Sequence, residues 1–269
     1  LFEASSRPSM GDRAASSVAT LQDPAPAPIV EGGEVSSSRA SAVSRYPGSK
    51  GASGVVQQLI NQIPPHRLYV EAFAGGAALF KAKTPAALSV LIERDAAVAA
   101  HWKRESLGRI DFEAVHACAF EWLDGRAWKG DEFVYLDPPY HPESRSGGQL
   151  YRVELDDAGH RRLLGLLASL PVRWALSGYR CGLYDQAAEA HGWRRIDFPA
   201  MTRGGVRTES LWMNYPEPAR LAQYDRLGAN FRERQRIQRK TARWLAKLDA
   251  LAAVEREALL AAIRAKYNI

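Results

Sequence analysis

The chain has 269 residues, 46% of them hydrophobic, so it can bury a full core, and one domain of about 200 residues with appendages is expected. Lys and Arg number 36 against 30 Asp and Glu, a formal charge of +6 that points to a polyanionic partner only where the excess is concentrated. Two cysteines, Cys118 and Cys181, lie outside any metal-ligand or disulfide spacing, and no apolar run approaches the roughly 18–20 residues of a membrane span, so a cytoplasmic protein with no metal and no membrane partner is expected.

Residues 1–44 are rich in Ser, Ala, Pro and Gly with Phe2 as their one aromatic, and they bury too little apolar surface to offset the entropy of ordering. They read as a disordered leader, and Met10 offers an alternative start to Leu1. Order is expected from Arg45 onward. Tyr46-Pro47-Gly48-Ser49-Lys50-Gly51 precedes an amphipathic helix carrying Val55, Val56, Leu59, Ile60 and Ile63, which places a glycine-bearing loop and a lysine at a helix N-terminus suited to an anion. The two-glycine phosphate-loop spacing is missing, which disfavours a P-loop nucleotidase.

Leu68–Phe73 reads as a strand, and Ala74-Gly75-Gly76-Ala77 as a small-residue turn opening the next helix. Glycines there allow close approach of backbone to a ligand at the carboxyl end of a strand. A second strand, Leu88–Glu93, ends in a carboxylate with Asp95 just beyond, suited to gripping ribose hydroxyls, although Asp95 also suits a helix N-cap. Together these features describe a nucleoside-bearing cofactor. Residues 95–130 are expected to be helical and then irregular.

Glu132–Leu136 reads as a buried strand that must stop at Asp137-Pro138-Pro139-Tyr140, because two prolines continue neither ladder nor helix. A carboxylate, carbonyls on residues without N–H and an aromatic ring in one stiff turn can grip a planar amine-bearing ring. A polar loop, His141–Gln149, carries Arg145. A leucine-rich helix begins at Asp156-Asp157, and further strands are expected at Val172–Ser177, Trp193–Phe198 and Glu209–Asn214, with Arg203 and Arg207 in the segment before the last. This alternation predicts an α/β fold, a mainly parallel sheet covered on both faces.

From Pro218 the chain becomes a helical tail, with one helix over about 230–250 and another over about 254–266. Arg232, Arg236, Arg239, Arg243 and Lys247 share one face of the first, opposite an apolar seam of Ile237, Thr241, Trp244, Leu248 and Leu251. Such a stripe is either a solvated face or a phosphate-binding one, and next to a site for an aminated ring the second is preferred.

The ordered set Tyr46-Pro47-Gly48-Ser49-Lys50, Glu71-Ala72-Phe73-Ala74-Gly75-Gly76, Glu93, Asp137-Pro138-Pro139-Tyr140, Ser177-Gly178-Tyr179 and Arg207–Trp212 resembles the Dam-like, alpha-group DNA adenine-N6 methyltransferases, especially the compact phage and prophage type. The likeness covers roughly residues 45–215. It implies a Rossmann-like S-adenosylmethionine-dependent methyltransferase sheet with an antiparallel final strand, adenine in DNA as acceptor, and a bacterial or phage-infected host, with a restriction-modification role open. It further implies that Tyr46, Gly48, Ser49, Lys50, Glu71, Phe73, Gly75 and Gly76 line the cofactor, that Glu93 with Asp95 holds the ribose, and that Asp137 to Tyr140 hold the base. Arg145, Arg203, Arg207 and the tail stripe are the expected DNA contacts. Ala77 stands where many members carry another glycine, and the target-recognition segment, about 101–130, is short. Methylation of another planar amine or amide (cytosine N4, an RNA base, a protein glutamine) and a non-catalytic DNA-binding relic of the fold are the alternatives.

Overall fold

The computed structural model describes residues 54–144, 154–202 and 205–268. The leader, Tyr46 to Lys50, Arg145 and Arg203 lie outside them. Seven strands form one sheet: β1 (Leu68–Ala72), β2 (Leu88–Glu93), β3 (Phe112–His116), β4 (Glu132–Leu136), β5 (Arg173–Gly178), β6 (Arg194–Thr202) and β7 (Gly205–Met213). Their spatial order is β3-β2-β1-β4-β5-β7-β6, parallel except for β7, which runs antiparallel to both neighbours. This is the doubly wound, Rossmann-like sheet with an antiparallel final strand that the motif order implied.

The alternation of side chains across the pleat assembles the two faces. Val70, Ala72, Val134, Leu136, Trp174, Leu176 and Trp212 pack against α4 (Ala119–Asp124), α5 (Asp157–Ser169) and α6 (Gly182–His191). Tyr69, Phe133, Tyr135, Ala175, Leu211 and Met213 face the other way, onto α1 (Val55–Ile60) and Leu79 of α2 (Ala78–Ala82). Leu91, Ala114 and Phe112 meet Val98 and Trp102 of α3 (Ala96–Ser106).

Two sequence expectations need correction. Residues 95–130 are not irregular after their helix: they carry edge strand β3 and α4, so the segment expected to choose the target sequence forms part of the sheet and its covering layer. The last two strands extend further toward each other than their apolar residues suggest, pairing from Arg194↔Met213 to Thr202↔Gly205. Pro199 sits within β6, where an edge strand tolerates a missing N–H. The apolar seam of the tail is half-buried or exposed.

That tail is α7 (Phe231–Asp249) and α8 (Ala253–Tyr267), neither of which contains a buried residue. The Asn230 side chain caps α7 by accepting the Glu233 N–H at 3.0 Å, and Glu233 accepts the Ala229 N–H at 2.9 Å. Gln58 and Asn61 of the domain donate to the Ala229 and Gly228 carbonyls at 2.5 and 3.4 Å, so the start of α7 is tied to α1 and its neighbour. Trp244 remains 58% exposed, with Lys247 Nζ 4.8 Å from its ring centre.

Candidate active site

Register decides what meets at the carboxyl edge of the sheet. Ala72 pairs with both Ile92 and Leu136, so the next residues along, Phe73, Glu93 and Asp137, leave β1, β2 and β4 at one level. Strand order reverses between β1 and β4, and ligands of open α/β sheets bind at that crevice. Phe73, Glu93, Asp95, Asp137 and Pro139 line one cleft there.

The turn after β1 is held from several directions. Ala74 N–H donates to the Ile92 carbonyl at 3.0 Å, and the Ala77 N–H closes the turn on the Ala74 carbonyl at 2.6 Å. Gly75 is fixed at both ends of its peptide unit: its N–H donates to Glu93 Oε2 at 2.8 Å, and its carbonyl accepts the Trp102 indole N–H at 2.9 Å. The other Glu93 oxygen takes the Asp95 N–H at 2.8 Å. Glu93 is only 8% exposed, so both oxygens are engaged by backbone while the carboxylate keeps lone pairs for a ligand hydroxyl.

This loop is also strained. Phe73 and Ala77 adopt φ of 59° and 45°, a left-handed region costly for residues with a side chain, and Gly75 has φ of 47°. Such outliers persist where surrounding bonds over-determine them, and the bonds to Ile92, Glu93 and Trp102 do so here. Phe73 lines the cleft and packs edge-on against Phe120, with ring centres 6.1 Å apart.

The other expected cofactor residues divide between roles. Asp95 lines the cleft, and its Oδ1 caps α3 by accepting the Ala97 and Val98 N–H groups at 2.9 and 3.2 Å. Glu71 lies under the loop instead, 2% exposed, its Oε2 accepting Tyr69 Oη at 2.7 Å and the Phe80 N–H at 2.9 Å. It thus supplies the first turn of α2 with an acceptor that Ala77 at the N-cap cannot provide. Lys83 stands beside this cluster, its Nζ 4.2 Å from the Tyr69 ring centre, and burial pulls its pKa down to about 8 against the attraction of Glu71. Gly76 completes the turn.

The far wall of the cleft comes from residues the sequence reading passed over: Ala117, Cys118, Ala119 and Phe120, between β3 and α4, with Glu154 and Leu155 ahead of α5. The alternation of Phe112 and Ala114 was the signal for a strand there, and with it for a third loop at the same edge. An apolar wall facing a carboxylate at the tip of β2 suits a nucleoside, with a flat ring against Phe120 and Leu155 and a ribose at Glu93.

At the carboxyl end of β4, Asp137 N–H donates to the Ala72 carbonyl at 3.4 Å, carrying the β1–β4 pairing one step past the strand. Asp137 is half-buried and Pro138 buried. Tyr140 is held by contacts no motif announced. Its hydroxyl donates to Glu209 Oε1 at 2.5 Å, and its ring meets Tyr179 edge-on at 4.6 Å. Arg207, expected to contact DNA, lies with its guanidinium 5.4 Å from the Tyr179 ring centre, at the same end of the sheet. Arg232, Arg236, Arg239, Arg243 and Lys247 are exposed along α7, the four arginines lining one shallow groove with Gln235 and Ala242.

No protein-family model matches the chain, and no curated protein does. Among solved structures, TrmK of M. capricolum in complex with S-adenosyl-homocysteine is 9% identical, with 81% of this chain and 97% of that one covered and a TM-score of 0.44. The METTL16 methyltransferase domain is 13% identical, over 60% of this chain and 66% of that one, with a TM-score of 0.42. An rRNA methylase from Streptococcus thermophilus is 10% identical, over 59% and 93%, with a TM-score of 0.39.

Proposed function

We propose that this chain transfers the methyl group of S-adenosylmethionine to the exocyclic N6 amine of adenine in DNA, the target base being turned out of the duplex into the cleft. The observation that carries this reading is the meeting, in one cleft, of Asp137 and Pro139 with Phe73 and Glu93: an amine-gripping turn and a nucleoside crevice open onto the same space. The ordered motifs of the Dam-like family support it, as does the exposed basic face of α7. When bound, the cofactor supplies an electrophilic methyl group on a sulfonium.

Adenine N6 is a poor nucleophile because its lone pair is delocalised into the ring. The Asp137 carboxylate and the Pro138 carbonyl would each accept one amine hydrogen, drawing the nitrogen toward tetrahedral geometry. Both acceptors also stabilise the positive charge that grows on nitrogen, an effect of preorganised dipoles, and the surplus amine proton would then pass to the Asp137 carboxylate or to water. Pro138 and Pro139 bring no N–H to compete for those acceptors and hold the turn stiff. Tyr140, held by Glu209 and Tyr179, is positioned to flank the base, whose extrusion costs a few kcal/mol of unstacking. Glu93 would hold the ribose, and Phe73 and Phe120 the cofactor's ring.

The test is transfer of labelled methyl to duplex DNA by the Asp137→Ala variant. Transfer is expected to vanish while S-adenosyl-homocysteine binding survives, and retained transfer would refute the assignment of Asp137. Sequencing for adenine-N6 marks in DNA from expressing cells then tests the acceptor. Label entering RNA but not DNA would overturn the acceptor and leave the transferase reading standing.

A further inference from the structure

The registered pair Leu136↔Leu176 sets β4 and β5 side by side, so the segments that leave their carboxyl ends run together. Five residues past that pair on one strand is His141, and five past it on the other is Cys181. Glu143, in the 3-10 turn Pro142–Ser144, completes a cluster in which one ligand atom from each of the three residues lies within 4.8 Å of the others. No sequence spacing announces the set, because Cys181 is brought in by strand pairing.

We propose that His141, Glu143 and Cys181 form a binding site for a borderline-soft divalent metal ion of the zinc type, which ties the end of the Asp137–Tyr140 turn to the start of α6. The donor set is one nitrogen, one oxygen and one sulfur, the mixture such ions accept, and three protein ligands leave a fourth position for water. His141 and Cys181 are 8% and 7% exposed, so two of the three ligands are held in place by packing. Glu143 is the exposed member, its side chain 67% exposed.

The orientation of His141 supports this further. Its Nε2 lies 3.1 Å from Asp157 Oδ1, which fixes that nitrogen as the proton-bearing one and directs Nδ1 toward Glu143 Oε2, 3.9 Å away. A carboxylate behind the outer nitrogen is the arrangement that orients metal-binding histidines and raises their basicity. The Glu143 N–H now reaches Nδ1 at 3.3 Å, long for such a bond, and is the contact an ion displaces. Tetrahedral bonds to zinc put ligand atoms about 3.3–3.6 Å apart, so the three atoms, within 4.8 Å of one another, would draw together by up to about 1 Å on binding. Binding converts the Cys181 thiol to a thiolate and releases its proton to solvent.

The test uses the full chain, titrated with Zn2+ against a fluorescent chelating indicator and separately with Co2+, whose bond to a thiolate gives a charge-transfer absorption. One ion per chain is expected, with the cobalt–thiolate absorption lost in Cys181→Ser and retained in Cys118→Ser. Asp157→Asn should weaken binding about 10–100-fold, as loss of an outer carboxylate does. Glu143→Gln, at an exposed position that leaves the fold alone, should weaken it at least tenfold and serves if Cys181→Ser fails to fold. Absence of the absorption, its loss in Cys118→Ser instead, or an affinity indifferent to Glu143→Gln and Asp157→Asn would overturn the proposal.

Discussion

Glu93 offers the sharpest test of how the crevice is built. Its carboxylate accepts the Gly75 and Asp95 N–H groups, both at 2.8 Å, in a position only 8% exposed. Hydrogen bonds to a charged group contribute about 1.5–3 kcal/mol each, and removing the acceptor leaves two backbone donors short of a partner. Glu93→Ala should therefore cost about 3–5 kcal/mol of stability, allowing for partial relaxation. Glu93→Gln keeps one acceptor oxygen but turns an NH2 group toward the other N–H, so about half that loss is expected. At roughly 2–4 °C per kcal/mol for a domain of this size, the alanine variant should melt about 6–20 °C lower. Under the proposed function both variants also lose a ribose contact, and S-adenosyl-homocysteine should bind about 10–100-fold more weakly, 1.4 kcal/mol per decade. Urea unfolding measures the first effect, and calorimetric titration of the Gln variant, still folded, the second. Unchanged stability would refute the hydrogen-bond accounting, while lost stability with unchanged affinity would reduce Glu93 to a clasp between two loops.

Three further outcomes are expected. Burial, aided by Lys83 and Arg173, lowers the pKa of His66 from 6.5 to about 4, so the unfolded chain binds a proton that the folded one refuses between those values. Its contribution is complete above pH 6.5 and is lost as pH falls toward 4, about 2–3 kcal/mol after allowance for part exposure, and His66→Gln should flatten the pH dependence of urea midpoints across that window. Replacing Arg236, Arg239 and Arg243 together by Ala should reduce the slope of log affinity for duplex DNA against log salt by about 2.7, and an unchanged slope would make the stripe a solvated helix face. Ala77, at φ of 45° and 1% exposed, should tolerate Gly with a stability change within about 1 kcal/mol, because relief of about 1–2 kcal/mol of strain offsets a lost buried methyl and glycine's extra chain entropy. Ala77→Val, with a branched side chain where neither space nor φ allows it, should lose more than about 2 kcal/mol by chemical denaturation.

What the sequence made legible was the part written in continuous apolar runs. β1, β2, β4 and β5 are buried on both faces along most of their length, so most of their residues are apolar and each was readable to within a residue or two. β3 was hidden because this edge strand buries only part of its length: Phe112 and Ala114 are buried and Val115 half-buried, while Glu113 and His116 meet solvent. Losing β3 also lost the loop after it, and with it Cys118 and Phe120 on the cleft wall. The hairpin strands outran their apolar residues for the same reason, since hydrogen-bond pairing, which has no composition, carries β6 and β7 toward the turn. Tyr140 was legible as an aromatic in a motif, but its hold on Glu209 was not, because 69 residues and an antiparallel strand separate them.

The two sides of the cleft are held by different means, and the difference bears on what each can do. The cofactor side is fixed by backbone: Gly75 is bonded at both N–H and C=O, Ala74 extends the sheet, and Glu93 ties the β1 turn to the β2 turn. Side-chain changes nearby leave most of those bonds intact, and the strain at Phe73 and Ala77 survives because no single bond maintains it. The acceptor side begins with one backbone bond, from Asp137 to Ala72, and continues through side chains, Tyr140 to Glu209 and Tyr179. Side-chain contacts can be remade around a large incoming group at little cost to the sheet, whereas the Gly75 turn cannot shift without breaking β1–β2 pairing. A crevice rigid where a small cofactor would bind and adaptable where a base would have to enter from a polymer is the arrangement that the proposed reaction requires.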